Sequence, residues 1–194
     1  MSDKSHLDPI SSAKDSTKVP LEMKQKLLID VKTLGEVYSA EMIGITKAVK
    51  ELGGKLLELN TSELFEFHKK ALSEIWQWAG KARLYQTNIG VESSQINIKL
   101  KDLFDDVHFW ITNKTYPVRE IGIRMHHRII FIHPFVDVNG RIGRLYTDIF
   151  LKQNGEESLS AKLNQGEDVR KKYIEVMNRT YETKDFSELI KLLS

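Results

Sequence analysis

Two apolar stripes of helical period, separated only by the turn around Pro134, constrain this chain more than any other feature. Val118, Ile121, Met125, Ile129 and Ile132 share one face of a helix. Pro134 stops that helix at His133, because the residue before a proline is pushed out of the α region. Beyond the turn, Ile142, Leu145, Tyr146, Ile149 and Phe150 recur at i, i+3, i+4, i+7 and i+8, so a second helix buries one face. Asn139 stands where an N-cap belongs, with Gly140 opening the first turn, and Asn154-Gly155 supplies the stop.

The rest of the chain continues this helical reading with one interruption. From Leu21 to Glu51 the apolar residues keep helical spacing, with Gly35 as a candidate break and Gly53-Gly54 as the stop, so one or two helices are expected here. Asn60 with Glu63 resembles an N-cap pair, and Leu64, Phe67, Leu72, Ile75 and Trp76 carry a helix to Trp78, ended by Gly80. Trp76 and Trp78 are read as core rather than as a ligand platform. Between Lys81 and Lys99 the period changes: Leu84–Ile89 and Gln95–Ile98 read as two short strands around the turn from Gly90 to Ser94. Leu103, Phe104, Val107, His108 and Trp110 predict a helix to Thr112. Val169, Tyr173, Ile174, Val176 and Met177 predict another, and Phe186 to Leu193 a last one. The fold class expected is mainly α, a helical bundle with one small β-hairpin.

Composition excludes more than it selects. At 194 residues the chain is long enough for one substantial core. We expect a disordered polar arm over 1–18, N-terminal helices over 19–58 and a core over 59–194. A net charge of +2, from 29 basic and 27 acidic residues, carries no nucleic-acid footprint. The absence of a long apolar run predicts no membrane span and no signal peptide. With no cysteine there is neither a disulfide nor thiol catalysis, which fits a cytoplasmic location.

The chemistry concentrates between His133 and Arg144. Arg141 and Arg144 are neighbours on the second helix, at an end where the macrodipole is already positive, an arrangement disfavoured by roughly 0.3–1 kcal/mol each. An anion docked there reverses that sign. The N–H groups of a helix start bind phosphate, and two guanidinium forks can grip the outer phosphates of a nucleotide. Asp137 supplies a hard carboxylate for Mg²⁺, which bridges phosphate oxygens. His133, with an ordinary pKa of about 6.5, can take a proton from an attacking hydroxyl.

These residues resemble the signature of Fic-domain proteins, whose loop reads His-Pro-Phe-x-Asp/Glu-Gly-Asn-Gly-Arg-x-x-Arg. Every specified position matches except Val138, where the family has glycine. The likeness extends through Phe67-His68-Lys69-Lys70, Ile75 to Arg83, Asn88-Ile89-Gly90-Val91 and Gln95-Ile96, and is greatest to members on bacterial mobile elements. The resemblance implies transfer of AMP from ATP to a Ser, Thr or Tyr hydroxyl of a target protein. It implies His133 as general base, Asp137 as Mg²⁺ ligand, and Asn139, Gly140, Arg141, Gly143 and Arg144 around the nucleotide phosphates. Phe135 would pack under the loop and Val138 would line it. The hairpin becomes a flap on which the target docks along Thr87, Asn88 and Ile89.

Val138 raises a structural question with two answers. With φ above zero, a β-branched residue costs of order 1–2 kcal/mol or forces the loop to rearrange; with φ below zero it fits without strain. The departure leaves open altered chemistry, such as AMP removal, transfer of another nucleotide or phosphoryl group, or nucleotide sensing by a weak catalyst. Many Fic proteins also carry an inhibitory helix with a glutamate that pairs with the second motif arginine. Here the nearest match is Ser39 to Gly44, with Ile43 at the glutamate position and Glu41 two residues away. Self-inhibition is then absent, supplied by a separate partner, or exerted by Glu41, and core packing is the reading preferred for this segment. Zinc hydrolysis by His126, His127 and His133 is disfavoured, since adjacent helical side chains point about 100° apart.

Overall fold

The computed structural model describes residues 17–163 and 166–194, so the expected N-terminal arm lies outside the described residues up to Ser16. The chain divides into two compact units. One holds the described residues up to Leu56 together with Ser62–Ala82; the other holds Leu57–Thr61 and Arg83–Ser194.

In the first unit, α1 (Leu21–Lys24), α2 (Leu34–Leu52) and α3 (Thr61–Leu72) carry the helical content. Gly35 is not a break: α2 starts one residue before it. The start is fixed by a capping box, in which the Glu36 N–H donates to Thr33 Oγ1 at 3.3 Å and the Thr33 N–H donates to Glu36 Oε2 at 3.1 Å. Two orphan donors are thereby satisfied, which outweighs the weak helix propensity of one glycine. Gly53 ends the helix in the left-handed conformation, φ 54°. Val37, Glu41, Ile45 and Ala48 form the buried stripe of α2.

Helix α3 stops at Leu72, short of the expected Trp78. The reason is a competing set of main-chain partners. The Leu28 N–H donates to Ile75 O at 2.8 Å and the Gln77 N–H donates to Lys26 O at 3.1 Å, around a bridge between Leu27 and Trp76. These bonds draw the chain off the helix while Ile75 and Trp76 stay buried. Trp76 is a core aromatic as expected, and it stacks on the half-buried Trp78 with ring centroids 4.9 Å apart.

The second unit is wholly helical in its regular structure among the described residues. It comprises α4 (Ile96–Thr112), α5 (Val118–Ile132), α6 (Asn139–Gln153), α7 (Leu159–Leu163), α8 (Glu167–Thr183) and α9 (Ser187–Leu193). The central element is α5, which packs on α4, α6, α8 and α9. Ile121, Met125 and Ile129 are buried there as the periodicity predicted. Gly143 of α6 permits a close approach to α5: a Cβ built on it would lie 3.0 Å from Ile129 Cγ2 and 3.2 Å from Ile130 Cδ1.

The expected hairpin does not form. Leu84–Ile89 is irregular, Ser93–Gln95 makes a single 3-10 turn, and Gln95–Ile98, read as the second strand, is instead where α4 opens. The apparent alternation of Ile96 and Ile98 is outweighed by the longer pattern Ile96, Leu100, Leu103, Phe104 and Val107, all buried at helical spacing. Ile98 is 51 % exposed, so it belongs to the solvent face of that helix.

Candidate active site

The site grows from the two ends of the turn between α5 and α6. At one end, His133 caps α5 in the left-handed conformation, φ 51° and ψ 61°, with its N–H donating to Ile129 O at 3.1 Å. Histidine tolerates this region better than most residues, yet the conformation still costs of order 1 kcal/mol or more. At the other end, Val138 is the N-cap of α6, also left-handed at φ 66°. The question left by the sequence is therefore answered: Val138 accepts the strained conformation that glycine would adopt freely. Its side chain is buried.

Asn139 corrects a sequence expectation. It is the first residue of α6 rather than its N-cap, and no side chain caps that helix. Its amide instead bridges back to Phe135: the Phe135 N–H donates to Asn139 Oδ1 and Asn139 Nδ2 donates to Phe135 O, both at 2.9 Å. Both main-chain polar groups of a buried residue are satisfied by one side chain, so the loop closes on itself. The Phe135 ring is wholly buried beneath it. Asp137 is exposed, and its Oδ1 accepts the Val138 N–H at 2.6 Å. The first turn of α6 aims its opening N–H groups, those of Asn139, Gly140 and Arg141, out of the helix end, since no carbonyl lies four residues upstream within the helix. Arg141 and Arg144, both partly buried, follow on that turn. Gly143 lies against α5, facing Ile129 and Ile130.

The other two histidines of α5 are framework. His126 Nε2 shares a 2.6 Å hydrogen bond with the Tyr173 hydroxyl, and burial, aided by the Arg144 charge, pushes its pKa down to about 3. His127 Nε2 lies 3.2 Å from Met177 O, and burial lowers its pKa to about 4. Both rings are neutral at ordinary pH and face α8. Among the described residues no group of three or more His, Cys, Asp or Glu side chains is arranged to hold a metal by itself. A lone exposed carboxylate does fit Mg²⁺, which binds through one or two carboxylates together with substrate phosphates.

Thr87, Asn88 and Ile89 lie on the irregular segment, where the Thr87 hydroxyl donates to Ile89 O. That segment is tied to the turn by Arg83, a residue the sequence quoted but gave no task. Arg83 Nε donates to His133 O at 2.7 Å, Nη1 donates to Tyr85 O at 2.8 Å, and the Arg83 N–H donates to Pro134 O at 2.9 Å. No sequence signal marks such a role, because carbonyl groups are the same at every residue. Asp148 was likewise unread. Its buried carboxylate accepts the Leu159 N–H at 2.6 Å and the Ser160 hydroxyl, and burial raises its pKa.

In the first unit Glu41 is 3 % exposed and accepts the Trp76 indole N–H at 2.8 Å, whereas Ile43 is 70 % exposed.

A helical frame thus sets a histidine at one helix end and the positive start of the next within a single self-closed loop. Residues 58–151 match the model of the Fic/DOC family, so this chain is similar to Fic-domain proteins over that stretch. Among curated relatives it is 28 % identical over 125 residues to protein adenylyltransferase fic-1 of Caenorhabditis elegans, covering 59 % of this chain and 24 % of that protein. It is 26 % identical over 141 residues to protein adenylyltransferase Fic of Drosophila grimshawi, covering 69 % of this chain and 29 % of that protein. The chain therefore spans about a quarter of the length of these relatives. In fold it is similar to the N-terminal FIC domain of Bep8 from Bartonella sp. 1-1C, with a TM-score of 0.69, 16 % identity, and coverage of 90 % of this chain and 91 % of that one. It is also similar to the N-terminal Fic domain of a Bartonella quintana Bep effector solved with bound ADP, with a TM-score of 0.67, 13 % identity and coverage of 87 % of each chain. Among the described residues no helix is long and apolar enough to cross a membrane.

Proposed function

We propose that this chain is a protein adenylyltransferase that moves AMP from ATP to a Ser, Thr or Tyr hydroxyl of a target protein. The observation that carries this reading is the loop itself: Asn139 locks it to Phe135, so His133 and the opening turn of α6 are held on one short rigid segment. His133 takes the proton of the target hydroxyl. The hydroxyl oxygen bonds to the α-phosphorus of ATP, the bond from that phosphorus to the bridging oxygen breaks, and pyrophosphate leaves. General-base assistance of this kind contributes about 10²–10⁴-fold in rate. The N–H groups at the start of α6, with Asn139, Arg141 and Arg144, stabilise the charge on the phosphates, which is electrostatic work done by preorganised dipoles. Asp137 is the residue that would hold Mg²⁺, which supplies charge neutralisation of the phosphates. Thr87 to Ile89 present the edge on which the target lies, by main-chain pairing that reads little side-chain information.

The test uses ATP labelled at either the α- or the γ-phosphate, incubated with cell lysate and either the wild-type protein or His133→Ala. Label from the α-position alone, lost in the variant, is the expected result. Label from the γ-position overturns the reading in favour of phosphoryl transfer, and no label from either in favour of AMP removal or nucleotide sensing. Val138, left-handed and β-branched where the family has glycine, is the observation that keeps altered chemistry as the second reading.

A further inference from the structure

Among the described residues Arg83 heads the large side chains that are fully buried, and its guanidinium donates to main-chain carbonyls, with the charge of Glu92 also acting on it. Besides the bonds to His133 O and Tyr85 O, Nη2 donates to Val91 O and, at 3.4 Å, to Ile132 O. The fork therefore spans both ends of the segment 85–91 and the last carbonyls of α5. Those carbonyls have no N–H partner within the helix and form its negative end, which is where a buried cation is stabilised. Burial lowers the pKa of Arg83, opposed by the charge of Glu92, and the surrounding carbonyl dipoles help the site to hold the cation.

Gly90 closes the same joint from the other side. At φ 123° it packs so tightly that a Cβ on it would lie 2.5 Å from Arg83 Nη2 and 2.9 Å from His133 Cβ. Arg83, Gly90 and His133 thus touch in one cluster, and the Val91 N–H adds a bond to Ile132 O at 3.4 Å.

We propose that Arg83 is a positioning residue that makes the segment 85–91 and the main chain of His133 one mechanical piece, so that a target docked on the former is presented to the latter. The proposal rests on the adenylyltransferase reading for its consequence in rate, but not for the joint itself. Lysine keeps the charge and loses the fork, since its three donors sit at one point and cannot reach carbonyls on both sides. A displacement near 1 Å at a reacting group costs about 10²-fold in rate, so a loosened joint is read as lost turnover while the phosphate-binding end of α6 stays intact.

The experiment compares wild type, Arg83→Lys, Gly90→Ala and Arg119→Lys. Arg119 is the matched control, because it also donates to main-chain carbonyls, those of Leu193 and Glu157, far along the chain. Incorporation of α-labelled AMP into lysate proteins, calorimetric affinity for a non-cleavable α,β-methylene ATP analogue with Mg²⁺, and amide hydrogen exchange over residues 84–92 are measured on each. Arg83→Lys is expected to lower incorporation at least about tenfold, with analogue affinity within about twofold and faster exchange over 84–92. Gly90→Ala, which keeps the Arg83 donors but pushes the guanidinium out of its seat, is expected to show the same split; Arg119→Lys keeps its incorporation. Incorporation by Arg83→Lys within about twofold of wild type overturns the proposal, as does an equal loss in Arg119→Lys. Should Arg83→Lys fail to fold, full incorporation by Gly90→Ala overturns it. If wild type itself transfers no label, the adenylyltransferase reading fails. The joint is then judged by exchange: wild-type rates over 84–92 in Arg83→Lys overturn it, and faster rates sustain it.

Discussion

The turn from His133 to Asn139 and the segment from Leu84 to Glu92 are both irregular, yet they are held by opposite means. The turn carries its own lock: a buried ring in Phe135 and an amide in Asn139 that satisfies that residue's main chain. The segment has no such anchor. Leu84 is 89 % exposed and Tyr85 54 %, and its order comes from Arg83 and from the end of α5. A loop locked from within keeps its shape whatever surrounds it; a loop held from outside keeps its shape only while its holder does.

That contrast can be broken by mutation. Phe135→Ala is expected to have the largest effect, about 3–5 kcal/mol of lost stability in urea unfolding, because a wholly buried ring leaves a cavity. A loss below about 1 kcal/mol would mean that the turn is not locked by its core. Asn139→Ala follows at about 2–4 kcal/mol, since it strands a buried N–H and a buried carbonyl on Phe135 together. The helical frame behind the turn is probed by pH. His126 and His127 have folded pKa values of about 3 and 4, below the ordinary histidine value, so the unfolded chain binds more protons. Their stabilising contribution is full above about pH 6.5 and falls by up to about 1.4 kcal/mol per histidine per pH unit as the pH drops towards 4. Asp148, raised by burial, acts in the opposite direction. Flat urea midpoints between pH 7 and 5 would contradict the buried, neutral rings.

Val138→Gly is a smaller change, because two effects oppose. Relief of a left-handed β-branched residue gains about 1–2 kcal/mol, while lost side-chain burial and a more flexible unfolded chain give back a similar amount. We expect unfolding free energy within about 1 kcal/mol of wild type and tighter binding of the ATP analogue, as glycine lets the loop adjust to the phosphates; equal or weaker binding in the calorimeter would refute this. Leu84→Ser is the smallest, within about 0.5 kcal/mol, because that side chain already stands in water. A loss of more than about 2 kcal/mol would show the segment to be anchored after all.

The same contrast explains what could be read in advance. Helices α5 and α6 were legible because each writes its buried face at a fixed period and its ends in Pro134, Asn154 and Gly155. The turn was legible because its parts lie within one short motif. Asn139 was misassigned as a cap because its preference for caps and its ability to bridge a nearby main chain come from the same short amide. Gln95–Ile98 was misread since a few residues can satisfy a period of two by chance, while the helical repeat shows only over the following turns. The early stop of α3 depends on main-chain pairing with residues 26–28, a contact across roughly fifty positions with no side-chain signature. Arg83 escaped notice for the same reason.

The bridge between Asn139 and Phe135 also bears on chemical ageing. Asparagine followed by glycine, as in Asn139-Gly140, is the pair most prone to deamidate, by attack of the glycine nitrogen on the side-chain carbonyl carbon and expulsion of ammonia. Here the amide is buried and held at both its oxygen and its nitrogen, so it cannot turn to meet that attack. The folded protein thus shelters the residue whose conversion to a carboxylate would put a negative charge at the start of α6. Deamidation at this position, followed by peptide mass spectrometry during storage, becomes a clock that runs only in molecules that have unfolded.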